Sequence, residues 1–205
     1  MKKKMVNVAV LVSGGGTNLQ AIIDFAADGN LVSGELVKVI ASKPDAYALK
    51  RAETAGIESA VVERKGKTQE EFEKGILQVL EDCGAEVIVL AGFMCILSKD
   101  FTDRYKDRII NVHPSLIPSF CGEGYYGLKV HEAALSYGVK VTGATVHFVN
   151  EIADGGKIIM QKAVRVMDND TPQKLQKRVM EQAEWKILPA ALEWVCKSIL
   201  KGEIK

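Results

Sequence analysis

Strand-length apolar runs alternate with helical patterns over the first 113 residues, and this rhythm limits the fold more than any other feature of the chain. Val6–Val12, Leu36–Ala41, Glu58–Val62, Val87–Ala91 and Ile109–His113 are short, apolar and rich in β-branched residues. Between them, Asn18–Ala27 and Ala46–Ala55 show helical spacing, the second closed by Gly56. Thr68–Cys83 is the clearest helix. Thr68 and Glu71 have the spacing of a capping box, apolar residues recur at Phe72, Ile76, Leu77 and Leu80, and Gly84 stops it. Strand, helix, strand in this order predicts an α/β fold with a doubly wound, mostly parallel sheet. Such sheets hold ligands at the carboxyl ends of their strands. The loops after Val12, after Ala91 and at His113 are therefore expected on one edge.

The pattern changes after residue 140. Val141–Val149 and Lys157–Val166 are β-rich and joined by the short segment Asn150–Gly156, which predicts an antiparallel pair. Thr171 and Pro172 read as N-cap and first residue of a helical stretch that runs to about Lys201, bent before Pro189. No repeat or linker divides the chain, so residues 1–205 are expected to form one domain.

Charge excludes some functions. The 27 basic and 26 acidic residues leave a net charge of +1, which gives no electrostatic footprint for nucleic acid. The basic start Met1–Met5 looks like the beginning of a signal peptide, but the apolar run after it is short and glycines follow at once. No stretch approaches the length of a membrane helix. The expectation is a soluble, cytoplasmic protein, monomeric or homodimeric, with no membrane partner. Cysteines 83, 95, 121 and 196 form no C-x-x-C pair, which argues for reduced thiols and no metal.

Asn111-Val112-His113-Pro114-Ser115 carries the strongest chemical signal. Residues two apart on a strand point the same way, so a carboxamide and an imidazole project together. Pro114 ends the ladder, having no N–H to donate. Such a pair suits a developing oxyanion with proton transfer close by. The bland reading of His113 is a core histidine satisfied by backbone. Ser13-Gly14-Gly15-Gly16-Thr17-Asn18 joins a strand to a helix and offers N–H groups to a single phosphate; the alternative is a tight turn. It matches neither the dinucleotide fingerprint nor a Walker loop. Asp154, before Gly155-Gly156, is either a turn residue or a carboxylate that orients His113 and raises its pKa by charge. His147, on an alternating strand, could join these two at a metal, but the spacing fits no standard motif. Met94 and Cys95 lie in an apolar strand-end loop, as core packing or as a slot for a flat heterocycle.

Taken together, Leu11–Ala21, Val89–Ser98, Ile110–Pro118, Thr145–Val149 and Asp154-Gly155-Gly156 resemble the 10-formyltetrahydrofolate-dependent formyltransferases, and in particular the phosphoribosylglycinamide formyltransferases of purine synthesis. The resemblance covers nearly the whole chain. It implies a Rossmann-like formyltransferase fold, with residues 1–113 as the phosphate-binding half and 114–205 as the folate-site and C-terminal half. It implies Asn111, His113 and Asp154 as the catalytic group. Gly16, Thr17 and Asn18 would hold the phosphate of 5'-phosphoribosylglycinamide, and Glu184, within Glu181-Gln182-Ala183-Glu184, would contact the same substrate. Met94, Cys95, Ile96 and Leu97, with Asn111 and with Asn150, Glu151, Ile152, Ala153 and Asp154, would line the pocket for 10-formyltetrahydrofolate. Cys95 stands where an arginine is common in the family, and Gln69 where an arginine often helps bind the folate tail. Phe120–Gly127 reads as a flap beside the site.

Two other activities share this core. A hydrolase deformylating the same folate typically has a second histidine after the first and an N-terminal regulatory domain; here Pro114 follows, and the chain starts at its first strand. A formyltransferase acting on charged tRNA has a long C-terminal domain, which is not expected here. A phosphosugar-binding protein would leave Asn111, His113 and Asp154 without a joint purpose.

Overall fold

A computed structural model describes residues 4–204; Met1 to Lys3 of the basic start lie outside the described residues. Seven strands form one sheet in the order β3-β2-β1-β4-β5-β6-β7. They are β1 (Val6–Val12), β2 (Gly34–Ala41), β3 (Ser59–Val61), β4 (Val87–Leu90), β5 (Ile109–His113), β6 (Val141–Phe148) and β7 (Ile158–Arg165). Strands β1 to β5 pair in parallel, and β5-β6 and β6-β7 are antiparallel. The sheet is doubly wound with an antiparallel C-terminal pair, as the apolar rhythm predicts.

Alternation along β1 explains why both faces must be covered. Val6, Val8, Val10 and Val12 pack on one side with Leu19 and Ile22 of α1 (Thr17–Ala27), Ala48 and Ala52 of α2 (Tyr47–Thr54) and the C-terminal helix. Ala9 and Leu11 pack on the other side with Phe72, Ile76 and Leu80 of α3 (Gln69–Asp82) and Phe101 of α4 (Lys99–Arg104). The capping box is present. Thr68 Oγ1 accepts from the Glu71 N–H at 3.2 Å, and Glu71 Oε2 accepts from the Thr68 N–H at 2.9 Å.

Two helices lie outside the sequence reading. One is α4, a short helix capped by Ser98; the other is α5 (Leu128–Tyr137), whose N-cap Gly127 makes no side-chain cap. Thr171 caps α6 (Pro172–Val179) with Pro172 in its first turn, and the irregularity before Pro189 is a π turn at Met180–Glu184. The Trp185 N–H reaches back to the Met180 carbonyl. Pro189 lies inside α7 (Trp185–Leu200), one turn from its start. The carbonyl it would have bonded is thus that of Trp185, directly after the π turn, where the helical bonding is already irregular. Among the described residues no helix is long and apolar enough to cross a membrane.

Strand order reverses at β1 and β4: from β1 the chain moves outward to β2 and β3, then returns to the other side at β4. The loops after β1 and β4 therefore diverge and open a crevice. Ser13 ties them together. Its Oγ lies 2.7 Å from Ser42 Oγ and accepts from the Met94 N–H at 3.0 Å.

Candidate active site

A cleft of about 680 Å³ opens at this crevice. Its lining includes Thr17 and Asn18, Gly92 to Ile96, Asn111, His113, the segment Gly122–Gly127, Asp154 and Glu184. The three loops expected on one edge do meet there, and the segment read as a flap forms one wall.

Gly16 is the N-cap of α1, at φ +71°, and a Cβ on it would sit 2.7 Å from Ala48 Cβ. Glycine is required there by both backbone shape and contact with α2. Gly14 and Gly15 are different: a Cβ on either meets nothing within 4 Å. They are exposed, and their carbonyls are held from behind by the Ala48 N–H at 3.1 Å and by Arg51 Nε at 2.8 Å. The loop is fixed, and the first amides of α1 have no acceptor within their own helix.

Asn111 and His113 project from β5 into the cleft. Asn111 pairs across the sheet with His147 of β6, which places Asn111 Nδ2 3.2 Å from His147 Nε2. His147 Nδ1 donates to the Phe148 carbonyl at 2.7 Å, which fixes the ring and leaves Nε2 facing Asn111 and Asp154. Asp154 enters from the turn after β6. Its Oδ2 lies 3.3 Å from His113 Nδ1 and accepts from the Gly122 N–H at 2.9 Å, and its Oδ1 lies 3.5 Å from His147 Nε2. The turn is Asp-Gly-Gly for a steric reason. A Cβ at Gly156 would overlap the Phe148 carbonyl, and one at Gly155 would lie 2.6 Å from Ile152 Cγ2. Only glycines let the turn fold flat on the end of β6, with Asp154 at φ +55° aimed between the two histidines.

Charge in this cluster is balanced against burial. His113 is 4% exposed, and its Nε2 donates to the Phe120 carbonyl at 2.8 Å. Burial pushes its pKa below the ordinary value; Asp154 and the Phe120 carbonyl pull it up, His147 pushes it down, and burial wins. The sequence expectation of a net rise is therefore corrected: Asp154 acts in the expected sense but is outweighed. Burial works to raise the Asp154 pKa, and hydrogen bonds from His147 and the Gly122 N–H, with His113 nearby, bring it below the ordinary value.

Glu184, at the end of the π turn, is buried with its Oε2 accepting from Asn18 Nδ2 at 2.8 Å. Burial raises its pKa to about 7. Within its segment only Glu184 lines the cleft; Ala183 is buried, Glu181 and Gln182 face solvent, and Met180 and Gln176 complete the wall.

A side pocket of about 130 Å³ continues from Asn111 and Asp154 between Leu90, Phe93, Cys95, Ile96, Leu97 and Val149. Asn150, Ile152 and Ala153 close it, with the Ile152 N–H donating to Asn150 Oδ1 at 3.0 Å; Glu151 lies outside its lining. Met94 lines the main cleft. Gln69 reaches neither cavity. Its Nε2 donates to the Ile96 carbonyl at 2.8 Å and to Glu73 Oε1 at 2.6 Å, bracing the Met94–Leu97 loop from behind. Sequence reasoning missed His131, Gln176 and Met180 on the cleft wall. The ordered helical stretch after Thr171 was the available signal for the last two.

The formyl transferase family matches this chain over residues 6–192. The chain is 46% identical to the human trifunctional purine biosynthetic protein adenosine-3 over 195 residues, covering 95% of this chain but only 19% of that much longer one. It is 40% identical to phosphoribosylglycinamide formyltransferase of Haemophilus influenzae, covering 96% of this chain and 90% of the relative. Among solved structures, glycinamide ribonucleotide transformylase 1 from Symbiobacterium toebii superposes with a TM-score of 0.88 at 36% identity, over 95% of this chain and 89% of that one. In sequence and in fold, this chain belongs to the formyl transferase family, among the phosphoribosylglycinamide formyltransferases.

Proposed function

We propose that the protein transfers the formyl group of 10-formyltetrahydrofolate to the amine of 5'-phosphoribosylglycinamide, a cytoplasmic step of de novo purine synthesis, with residues 1–205 acting as one domain. The observation that carries this reading is the placement of Asp154 between His113 and His147, beside Asn111, in a cleft that also reaches Thr17 and Asn18 at the start of α1.

The start of α1 receives the phosphate on the amides of Gly16, Thr17 and Asn18, where the helix dipole favours an anion. Glu184 accepts hydrogen bonds from the sugar once ionised. The apolar side pocket, with the Asn111, Asn150 and Asp154 side chains at its polar edge, fits a flat heterocycle carrying amide-like groups. 10-Formyltetrahydrofolate supplies the formyl carbon and the leaving nitrogen.

When the neutral amine attacks, Asn111 Nδ2 donates to the oxygen that becomes negative. His113 supports the same charge through Nε2, the nitrogen not turned to Asp154, so the Phe120 carbonyl gives way to the reacting oxygen. A negative oxygen there replaces a neutral carbonyl and raises the His113 pKa, opposing the effect of burial. Asp154 fixes the ring through Nδ1 and takes part in moving the proton from the attacking nitrogen to the leaving one.

The test is turnover of labelled 10-formyltetrahydrofolate with three acceptors offered separately. Formyl transfer to 5'-phosphoribosylglycinamide is expected. Release of formate to water, or transfer to charged tRNA, in its place would refute the reading.

A further inference from the structure

The proposed chemistry leaves one buried histidine unused. His131, in the first turn of α5, is fully buried, and among the described residues neither ring nitrogen has a hydrogen-bond partner. A buried polar group without a partner destabilises the free protein, and such groups are rare enough to need a cause. His131 contributes to the cleft wall near Gln176, Met180 and Glu184, because α5 packs on α6 and the π turn follows α6. A second orphan lies on the same cleft: Asn18 Oδ1 is buried and unpartnered, its Nδ2 already given to Glu184. Two incomplete polar groups thus share the cleft with Glu184.

The chemistry of the ring narrows the ligand. Burial holds the His131 pKa at about 4, and His113 adds to the effect. At neutral pH the ring is uncharged, with one N–H to donate and one lone pair to accept. A phosphate or carboxylate would use the ring's N–H alone and leave the lone pair unpaired. The ring suits a hydroxyl or an amide, and the Asn18 carbonyl oxygen suits a hydroxyl or N–H donor.

We infer that His131 is a binding residue for the acceptor substrate, hydrogen-bonding its uncharged ribosyl–glycinamide part between the phosphate at the Gly14–Asn18 loop and the amine at Asn111 and His113. This rests on the proposed function and adds a specificity contact to it.

The experiment compares wild type, His131→Leu and His131→Gln. In His131→Leu, the KM for 5'-phosphoribosylglycinamide is expected to rise about tenfold, the effect of one lost hydrogen bond. The KM for 10-formyltetrahydrofolate should stay unchanged. The Tm of the free variant should equal or exceed that of wild type, because an unpartnered polar group is gone. His131→Gln, which keeps a donor and an acceptor, should recover most of the KM. Nitrogen NMR of the wild-type ring should show a shift on adding the ribonucleotide alone. An unchanged ribonucleotide KM, an equal rise in both KM values, or a Leu variant that melts lower or fails to fold would each overturn the inference, the last by showing that the ring holds the structure. Absence of formyl transfer by wild type would instead overturn the reaction itself, and this assignment with it.

Discussion

Glu184→Gln separates the burial of one carboxyl from everything else that titrates. The Glu184 pKa stands at about 7 against an ordinary 4.5, with burial as the cause and one hydrogen bond from Asn18 working against it. Below pH 4.5 the group is protonated in both folded and unfolded chains and costs nothing. Between 4.5 and about 7 the unfolded chain releases its proton and the folded one keeps it, so stability falls as pH rises. Above pH 7 the full cost is present, about 3 kcal/mol at 1.36 kcal/mol per pH unit. Glutamine keeps an acceptor for Asn18 and never ionises. Urea unfolding of both proteins from pH 4.5 to 8 should therefore show curves that converge at the acid end. At pH 8 they should separate by about 3 kcal/mol, with the variant more stable, or roughly 10 °C in Tm for a chain of this size. A constant offset across the range would refute the argument. Ligand binding gives a second reading. If an ionised Glu184 accepts from sugar hydroxyls as proposed, binding of 5'-phosphoribosylglycinamide near neutral pH should release a proton. Calorimetry in two buffers of different ionisation enthalpy would detect it in wild type and not in the variant.

Other perturbations have equally definite outcomes. Asn111→Leu should lower kcat by about 10² to 10³ with folate binding retained, since one oxyanion donor is lost; near-normal turnover rules the role out. Gly15→Val should raise the KM for the ribonucleotide with stability within about 0.5 kcal/mol of wild type, because its side chain enters open space. Gly16→Val should instead lose about 1–3 kcal/mol in unfolding experiments, from a left-handed backbone and the contact with Ala48. In Asp154→Asn, the His113 pKa should fall further, since the opposing carboxylate charge is gone, and turnover should drop; an unmoved His113 in an NMR titration would show that the pair is not coupled.

The strands and the capped helix were legible because local chemistry and global fold agree there. Val6–Val12 is β-branched and buried on both faces, and Thr68 with Glu71 caps the helix as its spacing requires. Helix α5 was not legible because its start has no side-chain cap and follows a glycine-rich loop, although Gly138 at its end is an ordinary stop. Asn111 and His113 could be paired from strand alternation alone. Their link to His147 and Asp154 depends on the β5–β6 register and on how closely a Gly-Gly turn packs against a carbonyl, which no spacing reports. The net direction of the His113 pKa was missed for a similar reason. Charge neighbours can be guessed from motifs, but depth of burial is a property of the assembled fold.

The π turn at Met180–Glu184 lets one continuous rod follow two different schedules. A regular helix advances about 100° per residue, so an extra residue in one turn shifts everything after it by roughly that angle. Leu175 and Val179 are buried before the shift, and Leu188, Leu192 and Val195 after it. Each stripe keeps its own phase, and Glu184, four residues before Leu188, stands at the head of the second. Deleting a single residue from the turn should leave a longer, more regular helix whose two buried stripes no longer fit the core together.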